Sequence, residues 1–144
     1  MKKLAIILSV LLASIMLASC TFSNNQEIKI NDNLTRSEFV KMDYAAQRSI
    51  LGQISPETKY ELYKYKYAID LKENTFTKQE REAIDKFLNK FLKIETFING
   101  IPAEEENELI TYFQEELKWT NNQIHGFFMT PMTLKEFNEK GWQF

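Results

Sequence analysis

The sequence predicts an all-α fold, a compact bundle of about five to six short helices that follows a flexible tether. Three pairs of threonine and glutamate have the spacing of a capping box, in which each side chain accepts from the other residue's backbone N–H, at Thr35–Glu38, Thr77–Glu80 and Thr133–Glu136. A fourth helix start is Ser55-Pro56-Glu57, and no pair of strands joined by a hairpin turn can be recognised beside these signals.

The first two predicted helices are short. Leu34 and Phe39 flank the Thr35 box as a hydrophobic staple, and Asp43 is placed to cap the next helix. The third helix begins after Ser55 and runs to about Lys72. Within it, residues 63–67 alternate tyrosine and lysine with the period of a strand. A helix is nevertheless predicted, because apolar residues recur there at helical spacing, at Tyr60, Tyr63, Tyr67 and Leu71.

The second half of the chain carries three more predicted helices. The helix after Thr77 is amphipathic and ends at residues 99–102, with an apolar stripe of Ile84, Phe87, Leu88, Phe91 and Ile94. The next helix begins at Ala103, and its apolar side is Leu109, Ile110, Phe113 and Leu117. The last helix follows Thr133, and Gly141 is placed to end it.

Residues 1–19 differ in kind from the rest of the chain. Lys2 and Lys3 precede an apolar run from Leu4 to Leu17, which is shorter than the roughly 20 residues of a spanning helix and is typical of a secretory signal peptide. The segment Leu17-Ala18-Ser19-Cys20 resembles the lipobox of bacterial lipoproteins. The resemblance implies that the signal is removed, that the Cys20 thiol is diacylated, and that the acyl chains anchor the protein in a lipid bilayer.

Three segments are therefore predicted: a signal peptide at 1–19, a polar, asparagine-rich tether at 20–33 and a helical domain at 34–144. No acidic residue follows Cys20 before Glu27. In lipoproteins of enteric bacteria, an aspartate directly after the cysteine marks inner-membrane retention. In some other Gram-negative lineages, an acid-rich stretch near the cysteine marks surface export. The predicted location is therefore the outer membrane, facing the periplasm.

Composition excludes several classes of protein. Two of the 18 basic residues lie in the signal peptide, which leaves 16 basic against 20 acidic side chains in the mature chain. A nucleic-acid partner is not expected, because such a partner requires a basic surface. Four glycines, three prolines and one cysteine exclude collagen-like, low-complexity and disulfide-rich classes.

Few residues are candidates for catalysis or for binding a metal or cofactor. His125 is the only histidine in the sequence, and without an identifiable nucleophile or set of co-ligands it is predicted to be a partly buried residue at a helix end. Glu104–Glu106 are expected in the first turn of a helix, at its positive dipole end. Other glutamates are expected on solvated faces: Glu80, Glu82, Glu115 and Glu116. We predict no catalytic residue, no metal site and no cofactor.

A possible binding face lies on the third helix. Lys59 to Lys72 contains four tyrosines and four lysines, which could stack on sugar rings, bind an anionic headgroup or contact a protein. The face consists of Tyr60, Tyr63, Lys64 and Tyr67. The same tyrosines could instead pack against neighbouring helices, with the lysines at the surface. Trp142 is expected to dock against the core rather than to serve as an exposed tag.

The segment from about Phe39 to Phe97 resembles the helical region of bacteriocin fulvocin C-related proteins. The residues that carry the resemblance are Phe39–Arg48, Leu51, Ser55-Pro56-Glu57, Lys59 and Glu61-Leu62-Tyr63. The resemblance implies a secreted or lipidated bacterial protein. Members of that family carry a cysteine-rich, toxin-like tail, whereas this chain has no cysteine after Cys20, so no functional residue is carried over.

Three hypotheses about function follow. The first is a non-enzymatic, membrane-anchored binding module of the cell envelope with a protein or glycan partner. The second is a bacteriocin-related or immunity-type protein. The third is a hydrolase of envelope glycans that uses two carboxylates about 5–9 Å apart. The first is favoured, because the sequence offers no nucleophile with a base and no metal cluster.

Overall fold

The computed structural model describes residues 27–144. The predictions on the signal peptide, on Cys20 and on the first part of the tether lie outside the described residues. Eight α-helices and one two-stranded sheet are found within 27–144, which confirms the predicted all-α class with more helices than expected. In the same range, no helix has both the length and the apolar character needed to cross a membrane.

The described chain belongs to two units, which contain residues 27–39 and 40–144. In the described part of the first unit, β1 (Lys29–Asn31) and β2 (Leu34–Thr35) form an antiparallel hairpin, and α1 (Arg36–Val40) follows directly. The Asn33 N–H donates to Asn31 Oδ1 at 2.8 Å and closes the turn. The end of the predicted tether is thus paired, which the sequence did not predict because strands of two and three residues carry almost no period-two signal.

The second unit contains seven α-helices. The first three are α2 (Tyr44–Leu51), α3 (Pro56–Glu73) and α4 (Lys78–Phe91). The others are α5 (Ile94–Asn99), α6 (Ala103–Thr111) with a π-helical turn at Tyr112–Glu116, α7 (Asn121–Phe128) and α8 (Leu134–Lys140).

The helix starts predicted in this unit are confirmed by their hydrogen bonds. The Asp43 carboxylate accepts from the Ala46 N–H at 2.8 Å, and Ser55 Oγ accepts from the Thr58 N–H at 3.2 Å. Reciprocal capping boxes are present at Thr77 and Thr133. The tyrosine- and lysine-rich segment is helical throughout, since α3 runs to Glu73.

Two departures from the predicted helices explain why the structure has more helices than expected. The helix from Thr77 was predicted to continue beyond Ile94, but it stops at Phe91, where the Lys93 N–H donates to the Phe91 carbonyl at 2.9 Å. With φ −81° and ψ 70° at Leu92, this is an inverse γ-turn, and α5 starts again in a new direction. Helix α7 was not predicted, although Thr120 and Gln123 form a capping box with glutamine as its second residue.

The end of α6 brings Trp119 back onto the core. The Leu117 N–H donates to the carbonyl of Tyr112, five residues earlier, at 3.2 Å, which is the π-helical pattern. Lys118 then takes a positive φ of 60°, and the chain reverses. As a result the ring of Trp119 lies 4.6 Å from that of Phe113, edge to face.

The core of the second unit is largely aromatic. Its buried members come from α3, α4, the π-helical turn, the segment between that turn and α7, and α7 itself. They are Tyr67, Ile84, Phe87, Phe113, Trp119, Ile124 and Phe127. Two members of the predicted stripe, Ile84 and Phe87, are therefore core residues.

A buried ion pair connects α3 to α7 and α8. Lys66 Nζ lies 2.7 Å from Asp70 Oδ2 and donates at 2.7 Å to the carbonyl of Gly126, while Asp70 Oδ1 accepts from the Leu134 N–H at 2.8 Å. The two side chains are 0% and 1% exposed. The carboxylate thus lies at the N-terminus of α8, where the helix dipole favours negative charge.

Gly126 allows α7 and α8 to approach closely. A Cβ atom at this position would lie 2.6 Å from Cδ1 of Phe137, closer than two carbon atoms can pack. Any larger residue at 126 therefore has to displace Phe137, which is itself buried.

Candidate functional site

A groove of about 380 Å³ lies among α3, α4, α5 and α6 and the end of α7. We call it the aromatic groove and define it by six rings: Tyr63, Tyr67, Phe87, Phe91, Phe97 and Phe128. Its volume is in the range of small-molecule sites. Three polar side chains also line it, those of Lys59, Thr96 and Glu106.

The turn at Leu92 builds one wall of the aromatic groove. Because the chain changes direction there, α5 lies against α3, and the ring of Phe97 is 5.5 Å from that of Tyr63 and 6.0 Å from that of Tyr60. The sequence did not single out Phe97, since it lies off the apolar stripe of the longer helix that was predicted. A proline or glycine would have marked the break, but the turn has neither.

The structure separates the predicted binding face into two parts. Tyr63 and Tyr67 line the aromatic groove, and Tyr67 is only 4% exposed. Tyr60 and Lys64 lie outside it, where Lys64 Nζ is 5.0 Å from the centre of the Tyr60 ring and 3.2 Å from the carboxylate of Glu61. Two of the four residues of the predicted binding face therefore line the aromatic groove, and the other two lie beside it.

Burial keeps the phenols of the aromatic groove protonated. It raises the pKa of Tyr63 above the ordinary value of 10.0. Burial also raises the pKa of Tyr67, and the charges of Tyr63 and Asp70 raise this pKa further. Both hydroxyls are thus neutral at physiological pH, and they act as hydrogen-bonding groups rather than as bases.

A second cavity of about 460 Å³ lies among α2, the start of α3, the end of α7 and the chain end. We call it the cationic pocket and define it by Arg48, Lys59, His125, Trp142 and Phe144. No aspartate or glutamate side chain is among its lining residues in the described part of the chain. Three residues line both cavities, Leu51, Lys59 and Met129.

Trp142 docks as predicted and helps to form the cationic pocket. Its ring lies 5.5 Å from that of Tyr44 and 6.2 Å from that of Phe137. The Asn122 amide donates to the Trp142 carbonyl at 2.6 Å and accepts from the Phe144 N–H at 2.6 Å. The side-chain amide of Asn122 acts as donor and as acceptor, and it therefore holds residues 142–144 against α7.

His125 is a half-buried residue in the last turn of α7, as predicted. Its ring stacks on that of Phe144 with centres 4.2 Å apart and planes 8° apart. Burial lowers the pKa of His125 from its ordinary value of 6.5, so the neutral form is favoured at pH 7.

The glutamates have mostly structural positions. Glu104–Glu106 lie in the first turn of α6 as predicted, and Glu105 pairs with Lys90 at 3.1 Å. Glu80 is more than the solvated residue that was expected, because it accepts from the Thr77 N–H at 2.8 Å and from the indole N–H of Trp119. Across residues 27–144, no three acidic, histidine or cysteine side chains are grouped to hold a metal ion.

Glu80 gives a testable pH dependence. Burial raises its pKa, but hydrogen bonds from Thr77 and Trp119 outweigh burial and lower the pKa from 4.5. A lowered folded-state pKa contributes stability that is present above the unfolded pKa and is lost as pH falls through the folded pKa. Glu80→Gln can keep only one of the two hydrogen bonds, because Thr77 and Trp119 donate to different carboxylate oxygens and an amide has one acceptor oxygen. We expect this variant to be less stable than wild type at pH 7 and to lose less stability as the pH falls below about 4.5, as measured by urea titrations. Glu82→Gln is the control, and an equal change in both variants would contradict the prediction.

No family model, curated protein or solved structure matches this chain. The resemblances to the lipobox and to fulvocin C-related proteins stay predictions. The function proposed below rests on the residues and cavities of this chain.

Proposed function

We propose that this protein is a lipid-anchored, non-enzymatic binding protein of the bacterial cell envelope, and that the aromatic groove is its binding site. The anchor is Cys20 in the sequence Leu17-Ala18-Ser19-Cys20, and the membrane is the outer membrane, with the protein facing the periplasm. One observation carries the binding role: a groove of about 380 Å³ has six aromatic rings in its lining.

The lining of the aromatic groove supports recognition of an apolar group. Ring faces and edges provide a large apolar area, and each Å² removed from water contributes roughly 25 cal/mol. Met129, at the edge of the groove, is 41% exposed, and its thioether side chain adapts easily to different shapes. Thr96 and the Tyr63 hydroxyl can supply the few hydrogen bonds that orient a ligand in such a site.

The positions of the carboxylates also support binding rather than hydrolysis. Within residues 27–144, two carboxylates have shifted pKa values: Asp70, held by Lys66 and the Leu134 N–H, and Glu80, held by Thr77 and Trp119. Both thus have structural roles. A glycan hydrolase needs two carboxyl groups that converge on one sugar bond.

Lipid anchoring predicts a simple result in cells. Metabolic labelling with an alkyne fatty acid should label the wild-type protein, and Cys20→Ala should abolish the label because the acceptor thiol is gone. Globomycin, which inhibits the lipoprotein signal peptidase, should cause the uncleaved precursor to accumulate. An unlabelled, soluble wild-type protein would refute the anchor.

Binding in the aromatic groove can be tested with two neighbouring residues of α5. Phe97 lines the groove, whereas Ile98 is 58% exposed and does not. We expect Phe97→Asp to weaken binding of 1-octanol at least about tenfold, since a carboxylate in an apolar groove costs more than 1.4 kcal/mol. Ile98→Asp should leave the affinity within about twofold.

The measurement is titration calorimetry on the mature, acylated protein in phosphatidylcholine nanodiscs, with empty nanodiscs as the blank. Circular dichroism establishes that both variants are folded. Equal octanol affinity in Phe97→Asp, Ile98→Asp and wild type would mean that the aromatic groove is not the site.

A further inference from the structure

We infer that the aromatic groove and the cationic pocket form one site for a single-chain amphipathic anion, which places its apolar chain in the groove and its carboxylate or phosphate head in the pocket. This inference rests on the proposed function and names the class of ligand. The observation behind it is that two cavities of opposite character meet at shared residues.

The two cavities are contiguous. Leu51, Lys59 and Met129 line both of them. The side chain of Lys59 suits this boundary, because its methylene chain is apolar and its ammonium group is charged. A ligand that crosses the boundary passes Lys59, from a mainly aromatic lining with one acidic side chain, Glu106, to a lining that adds Arg48 and has no acidic side chain.

The charge of the cationic pocket is unusual for this protein. Acidic residues outnumber basic ones in the chain as a whole, yet the pocket has the side chains of Arg48 and Lys59 and no acidic side chain. The ion pairs found within residues 27–144 use other cations: Lys64, Lys66, Arg81 and Lys90. Within residues 27–144, neither Arg48 nor Lys59 is paired with an aspartate or glutamate side chain in these ion pairs.

Arg48 contacts Tyr44 through its guanidinium group. Its Nη1 donates to the Tyr44 hydroxyl at 3.4 Å, and its guanidinium carbon lies 5.8 Å from the centre of the Tyr44 ring. These contacts use one N–H donor and one face of the Arg48 guanidinium group. Its other N–H groups can donate to a carboxylate or phosphate.

The test compares octyl phosphate with 1-octanol, which have the same chain and differ in the head. With the acylated protein in phosphatidylcholine nanodiscs, we expect wild type to bind octyl phosphate at least about tenfold more tightly than octanol. The double variant Arg48→Gln, Lys59→Gln should lose that preference. The single variant Arg48→Gln, whose side chain lines the cationic pocket and not the aromatic groove, should keep its octanol affinity within about twofold. Lys78→Gln, Lys135→Gln is the control, because it removes two charges that line neither cavity.

Each outcome decides between the two proposals. Equal affinity of wild type for the two ligands would overturn the inference and leave the apolar site in place. Failure of both ligands to bind would end the proposed function as well. Crosslinks between two copies through the aromatic groove, lost in Phe97→Asp, would assign the groove to a second copy and overturn the inference.

A measurement on wild type alone keeps the inference testable if the double variant does not fold. Octyl phosphate affinity should fall as sodium chloride increases, because ions screen exposed charges, whereas octanol affinity should not fall. The single variant Arg48→Gln, at an exposed position, should show part of the same loss. Salt-independent binding of octyl phosphate would contradict the inference.

Discussion

Replacing Lys66 by methionine is expected to lower the free energy of unfolding at pH 7 by about 3–5 kcal/mol. The substitution leaves the Asp70 carboxylate buried at 1% exposure without its cation, 2.7 Å away in the wild type. It also leaves the carbonyl of Gly126 without the Lys66 donor. Urea unfolding followed by circular dichroism measures the change.

The loss in Lys66→Met should depend on pH. Burial already raises the pKa of Asp70 in the wild type, with a smaller contribution from Glu136, while the charge and hydrogen bond of Lys66 lower it. Without Lys66 the folded-state pKa rises further above the unfolded value. The folded state then binds a proton more readily, so the variant gains stability as pH falls from 7 toward 4 relative to wild type.

A double-mutant cycle separates the ion pair from simple packing. Asp70→Asn alone leaves a buried ammonium group without its anion, and it should be destabilising for the same reason. Lys66→Met with Asp70→Asn removes both charges, and we expect it to recover at least about 2 kcal/mol relative to the sum of the single variants. Additive losses would show that the two charges do not stabilise each other.

Replacing Phe113 by alanine is the second large effect we expect, at about 3–5 kcal/mol. The Phe113 side chain is 0% exposed, and its ring packs edge to face on Trp119 at 4.6 Å and on Phe128 at 5.0 Å. Truncation leaves a cavity among rigid rings that cannot close around it, so the loss exceeds the transfer free energy of the ring alone.

Tyr112 provides a matched control for Phe113. It is the preceding aromatic residue of the same π-helical turn, it is 37% exposed, and its ring contacts that of Phe113 at 6.1 Å. Tyr112→Ala should cost less than about 1.5 kcal/mol, because much of its surface is already in water. Equal losses in the two variants would mean that the π-helical turn, and not the buried ring, limits stability.

The local signals for helices could be predicted well. A capping box or a serine and proline at a helix start acts through hydrogen bonds within four residues, so the sequence contains both partners. The helix starts at Ser55, Thr77 and Thr133 were therefore predicted at the correct residues. Helix α7 could have been predicted in the same way, because glutamine can replace glutamate as the second residue of a capping box, as Gln123 does after Thr120.

The binding face was harder to predict, because helical spacing alone does not show what covers each side of a helix. Tyr63 and Tyr67 have the same spacing as Tyr60, yet only the first two line the aromatic groove. The difference comes from α5, whose position depends on the backbone turn at Leu92. That turn has no glycine or proline to mark it in the sequence.

By itself, the sequence determined the all-α class, most helix starts, and the aromatic core residues of α4 and of the π-helical turn after α6, whereas the anchor at Cys20 stays a prediction. These depend on neighbouring residues or on the periodicity of apolar side chains. Only the tertiary structure decided the buried pair of Lys66 with Asp70, the role of Glu80 as partner of Trp119, and the meeting of the aromatic groove and the cationic pocket at Lys59. Lys66 and Asp70 are one helical turn apart, but the contacts that bury them come from distant segments. Glu80 and Trp119 are separated by 39 positions, and Asp70 and Leu134 by 64. Such contacts form only when the helices pack, and a pattern read along the chain does not contain them.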